Sequence, residues 1–119
     1  ISYAMNYPKR IPLDPPLLDL GKIGQLNFAP PDFVKFPCAK LAFDALTAGG
    51  GLPATLNAAN EIAVQAFLDK EITFLDIPKI IEETMSAYTP TPLNSVEDAL
   101  ETDRWAREKA SNLRNVAIK

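Results

Sequence analysis

The sequence predicts an all-α fold: a small four-helix bundle with an N-terminal proline-rich extended arm. Three observations predict it. Leu52 to Asp69, LPATLNAANEIAVQAFLD, is apolar almost all round a helical wheel, as a buried helix is. Three further stretches repeat apolar residues at helical spacing, before and after it. Seven of the eleven prolines fall between Pro8 and Pro37, which blocks continuous helix and central strand there.

In chain order, Ile1 to Tyr7 is short and mixed, and reads as one or two helical turns or as a strand. Beyond it, Pro12, the Pro15-Pro16 pair and the Pro30-Pro31 pair interrupt the chain. Leu13, Leu17, Leu18, Leu20, Ile23, Leu26 and Phe28 are too many apolar groups for a disordered linker. The region therefore reads as an arm lying on a surface, with a short strand at Gln25 to Ala29. Pro37 to Ala48 carries Cys38, Leu41, Ala42, Ala45 and Leu46 at i, i+3, i+4, i+7 and i+8. Pro37 suits its first turn, and Gly49 suits its end.

In the central helix, Leu56, Ala59, Ile62, Ala63, Ala66 and Phe67 make the expected core face. Its five alanines favour helix and let neighbours approach closely. Thr73 or Asp76 caps the next helix, whose stripe is Ile77, Ile80, Ile81, Thr84 and Met85. Thr89-Pro90-Thr91-Pro92 ends it. Ser95 with Asp98 resembles a capping box for the last helix, Val96 to about Val116. A break is expected near Thr102-Asp103. Val96, Ala99, Leu100, Ala106, Ala110 and Leu113 form the expected inner stripe, and Trp105 reads as an edge-of-core residue or as a contact to another domain.

Composition excludes several functions. A net charge of −3 argues against nucleic acid or anionic membrane as partners. No apolar run reaches the roughly 18 residues of a membrane span. The single cysteine forbids an internal disulfide, and the absence of histidine removes the commonest general base and a leading zinc ligand. Gly49-Gly50-Gly51 lacks the spacing and the Lys-Ser/Thr of a phosphate loop, so it reads as a turn. Cys38, on an apolar stripe, reads as a core residue.

Asn57, Asn60 and Glu61 share one side of the central helix and read as a structural polar cluster, half-buried and hydrogen-bonded to loop backbone or to the arm. No catalytic, cofactor-binding or metal-binding residue is assigned. The chain opens on Ile1 rather than Met, as an excised piece of a longer chain does.

Several stretches resemble one family. They are Ala4-Met5-Asn6-Tyr7-Pro8-Lys9-Arg10, Leu26-Asn27-Phe28-Ala29-Pro30-Pro31-Asp32, Phe36-Pro37-Cys38-Ala39-Lys40-Leu41-Ala42, Leu56-Asn57-Ala58-Ala59-Asn60-Glu61, Ala66-Phe67-Leu68 and Phe74-Leu75-Asp76-Ile77. In order and spacing they resemble the C-terminal part of 1-deoxy-D-xylulose 5-phosphate reductoisomerase. The resemblance implies residues 1–10 as a remnant of the catalytic domain, 11–36 as a connecting arm and 37–119 as the C-terminal helical bundle. It implies a parent oxidoreductase and isomerase of isoprenoid biosynthesis, using NADPH and Mg or Mn. The catalytic domain of the same chain would be the partner, the parent a homodimer, and its location a bacterial cytoplasm or a plastid-type organelle. The family's catalytic motifs match no position here, so the fragment alone is expected to hold no cofactor and to be inactive, bracing the catalytic domain. The rival reading is a free-standing helical protein-interaction module. An upstream nucleotide-binding and metal-binding region would favour the first; an initiator Met directly before Ile1 would favour the second.

Overall fold

The computed structural model describes residues 1–14 and 16–117. Pro15 and Ile118-Lys119, which the expected arm and bundle include, lie outside the described residues. Every regular element described is an α-helix: α1 (Ser2–Met5), α2 (Leu20–Ile23), α3 (Pro37–Ala48), α4 (Leu52–Leu68), α5 (Asp76–Ala87) and α6 (Val96–Ala117). The chain divides into two compact units, Ile1–Pro30 and Pro31–Lys119.

In the first unit, α1 takes the helical alternative for Ile1 to Tyr7. The strand expected at Gln25 to Ala29 does not form; those residues carry no regular structure. A strand needs a neighbouring ladder, and the described residues supply none. Instead, α2 closes one turn earlier, where the Lys22 N–H donates to Asp19 Oδ1 at 3.2 Å. The Arg10 guanidinium lies 4.5 Å from the Tyr3 ring centre. None of the unit's described residues is buried.

In the second unit, the four expected helices form, and α4 packs against α3, α5 and α6. Ala59, Ala63 and Ala66 of α4, Ile77, Ile80 and Ile81 of α5, and Ala110 of α6 make one buried cluster. Leu41, Leu56, Ile62, Met85 and Leu113 pack on its edge, as does Cys38, whose thiol is pushed up in pKa by burial. Small side chains on both α4 and α6 allow close approach, so the bulk is supplied by isoleucines of α5. Two fully buried hydroxyls bond to the turn before them: Thr55 donates to the Gly51 carbonyl at 3.0 Å and Thr84 to that of Ile80 at 2.7 Å.

Three stripes differ from expectation. The buried face of α4 is centred nearer Thr55 and Ala58, which are fully buried, and leaves Phe67 36% exposed. Leu46 of α3 is 73% exposed, because α3 inserts only Ala45 fully into the core. On α6, Thr102, Ala106 and Ala110 face inward while Val96 and Leu100 face water. The physical reason is common to all three. Periodicity fixes the width of an apolar stripe, but the neighbours available decide which part of it is covered. The break expected at Thr102-Asp103 is absent, and α6 runs through it without interruption.

The ends are fixed locally. Gly49, at φ 71°, closes α3, and its N–H donates to the Ala45 carbonyl at 3.0 Å. Lys70 takes the left-handed conformation after α4, where the Glu71 N–H reaches back to the Ala66 carbonyl at 2.9 Å. Asp76 Oδ2 accepts from the Thr73 N–H at 3.0 Å and from its hydroxyl at 2.6 Å. The capping box forms as expected. The Asp98 N–H donates to Ser95 Oγ, and Asp98 Oδ2 accepts from the Ser95 N–H, both at 3.1 Å.

Two outcomes are expected. Ile81→Ala should lower stability by about 2–5 kcal/mol, and Phe67→Ala by clearly less, in side-by-side denaturant titrations. Thr73 and Lys79 hold Asp76 down to about 2 from an ordinary 3.8. A depressed carboxyl stabilises the fold above its unfolded value. That contribution is therefore complete above pH 3.8 and lost as pH falls toward 2. Asp76→Asn should flatten this part of an acid-denaturation curve.

Candidate functional site

The polar side of α4 is where the expected cluster lies. Asn57 and Glu61 are one turn apart, and Asn57 Nδ2 donates to Glu61 Oε1 at 3.0 Å. Both are solvent-exposed rather than half-buried. The partner that completes Glu61 comes from α6, 46 residues on: Arg107 Nη2 donates to Glu61 Oε2 at 2.7 Å. The same guanidinium grips Asp103, with Nε to Oδ2 at 2.7 Å and Nη2 to Oδ1 at 3.1 Å. Asn60 is not joined to this set. It is half-buried on the flank of α4 and makes no side-chain hydrogen bond among the described residues.

Sequence reasoning on α4 did not supply Arg107 and Asp103. Their i, i+4 spacing marks them as a pair, but nothing local connects them to Glu61. Electrostatics follow geometry. Hydrogen bonds from Arg107, then from Asn57, hold the Glu61 carboxyl below its ordinary range. Asp103, then Glu61, drive the Arg107 guanidinium higher still. A carboxylate so stabilised in its charged form is a weak proton acceptor at neutral pH. Its chemistry is that of a tie between α4 and α6.

A second polar knot ties the short α3–α4 turn and α6 to the loop between α5 and α6. The Gly51 N–H donates to the Thr91 carbonyl at 3.1 Å, and the Tyr88 hydroxyl lies 2.8 Å from Thr91 Oγ1 and 3.3 Å from Thr102 Oγ1. A methyl group on Gly50 would sit 2.6 Å from the Thr91 carbonyl oxygen, and one on Gly51 would collide with the Tyr88 hydroxyl. The glycines thus serve close packing, and the Gly51 amide is spent on Thr91 rather than offered to a phosphate. Trp105 takes the edge-of-core place, half-buried with its ring centre 5.2 Å from that of Tyr88. No helix among the described residues is long and apolar enough to cross a membrane.

Fold and site define a small all-helical packing domain, cross-tied on its surface by one arginine between two carboxylates. The profile of the family described as DXP reductoisomerase C-terminal domain matches residues 1–109. The chain belongs to that family. It is 54% identical over 116 residues to 1-deoxy-D-xylulose 5-phosphate reductoisomerase of Chlorobium phaeobacteroides, covering 95% of this chain and 29% of that protein. The same enzyme of Vesicomyosocius okutanii is 52% identical, at 95% and 30% coverage. Among solved structures, the reductoisomerase of Zymomonas mobilis in complex with NADPH superposes with a TM-score of 0.83 at 45% identity, over 95% of this chain and 30% of that one. A DOX-P reductoisomerase structure with fosmidomycin and magnesium gives 0.79 at 34% identity, over 98% and 31%. The chain therefore spans about 30% of the length of the relatives it matches.

The charge tie makes a prediction. Arg107→Met should raise the Glu61 carboxyl toward its ordinary titration range, with Asn57 still holding it partly down, read by NMR of the side-chain carbon. Because Glu61 is depressed in the folded chain, its contribution is present at neutral pH and lost as the medium is acidified. The variant should therefore lose more stability at pH 7 than in acid.

Proposed function

We propose that this chain is the non-catalytic C-terminal helical domain of an NADPH-dependent 1-deoxy-D-xylulose 5-phosphate reductoisomerase, and that it braces the portion of the parent that performs the reaction. The observation that carries this is the coincidence of a family match over residues 1–109 with coverage of only about 30% of each relative. In this reading residues 1–10 are a remnant of the catalytic domain, 11–36 a connecting arm and 37–119 the bundle. The parent is a homodimer of a bacterial cytoplasm or plastid-type organelle, acting in isoprenoid biosynthesis. Asn57, Asn60 and Glu61 act as a structural polar cluster, with no catalytic role.

NADPH and Mg or Mn belong to the parent's remaining chain, and the donor chemistry here supports that placement. Magnesium takes carboxylate oxygens free to face it, whereas Glu61 spends its oxygens on Asn57 and Arg107, and Asp103 spends both of its on Arg107. No group of three His, Cys, Asp or Glu residues suited to a metal stands among the described residues. No step of the reaction is routed through this domain.

The test uses the full parent and a parent ending before Ile1. The truncated parent should lose thermal stability and most NADPH-consuming turnover, while the isolated chain shows none. Undiminished turnover and melting temperature after truncation would overturn the bracing role.

A further inference from the structure

An apolar groove opens in the second unit beside the polar face of α4. It holds about 310 Å³ and is walled by Val34, Phe36 and Cys38 at the approach to α3, Asn60 and Val64 on α4, and Phe74 before α5. Its rim is unusual for a surface. Val34 is 92% exposed, Phe74 64% and the adjoining Leu75 68%. Single exposed apolar residues are ordinary, but a contiguous set of them marks a contact surface. The groove is also built rather than loose. Phe74 is held edge-on by Phe67, ring centres 5.6 Å apart, so its ring is placed before anything arrives. In the wall, the half-buried Asn60 amide has no partner among the described residues and presents both a donor and an acceptor. Among the described residues, Lys35 is the one charged group lining it.

We propose that this groove is the docking seat for polypeptide of the parent enzyme outside these 119 residues, an apolar segment whose backbone is received by Asn60. The inference rests on the bracing reading and names the face that does it. The occupant follows from the relatives, in which more than two thirds of the chain lies beyond the matched part. A segment that inserts aliphatic side chains beside Phe74 and Leu75 satisfies the rim, and its backbone satisfies Asn60 without a counter-charge.

The experiment places a benzoylphenylalanine photo-crosslinker at position 74 of the full parent, where the native ring is already exposed, and at position 46 on α3, outside the groove. Illumination and peptide mass spectrometry read the captured segment. The position-74 probe should capture peptides from outside residues 1–119, and Val34→Glu with Leu75→Glu should abolish that capture while the position-46 pattern stays unchanged. Capture confined to residues 1–119, of the same or a second copy, would overturn the seat, as would no capture. Capture of outside peptides from position 46 alone would overturn the seat and leave bracing intact. Failure of bracing itself is read separately, by the truncated parent.

Discussion

Close approach between helices that present little more than methyl groups is the constraint on which this bundle depends. Ala59, Ala63 and Ala66 of α4 share one buried cluster with Ala110 of α6. Alanine surfaces bury little area each, so the cohesion of such a contact comes from proximity and from packing density rather than from large side chains. The volume missing there is made up by Ile77, Ile80 and Ile81 of α5. That division of labour explains why α4 can be central although two of its bulky residues, Phe67 and Leu68, lie toward water.

Once the helices are this close, loops and charges must fit around them. The turn between α3 and α4 tolerates no side chain at Gly50 or Gly51, because the Thr91 carbonyl and the Tyr88 hydroxyl occupy that space. Across the surface, Arg107 spans from its own helix to Glu61. An exposed ion pair adds little energy on its own. Shared between two carboxylates, one of them backed by Asn57, it links the exposed edges of α6 and α4 at one point.

Much of this was legible in the sequence because its causes are local. The bounds of α3 follow from Pro37 and Gly49, the start of α6 from Ser95 and Asp98, and the stripe of α5 from its isoleucines. Three things were not legible. Which edge of each stripe is covered depends on partners that periodicity does not name, hence Phe67, Leu46, Val96 and Leu100. The link from Glu61 to Arg107 joins residues 46 apart. The need for glycine at position 51 is set by a tyrosine from another loop. Family resemblance carried what patterning did not, because helical spacing and capping signals name a fold and not a reaction.

The placing of α3 has its own consequence. It rests on α4 and α5, has no contact with α6 among the described residues, and commits one fully buried side chain, Ala45. Opening of a folded unit starts where least surface must be hydrated. The bundle is thus graded: α4, α5 and α6 each pack on the other two, whereas α3 can leave without uncovering the contact between α4 and α6.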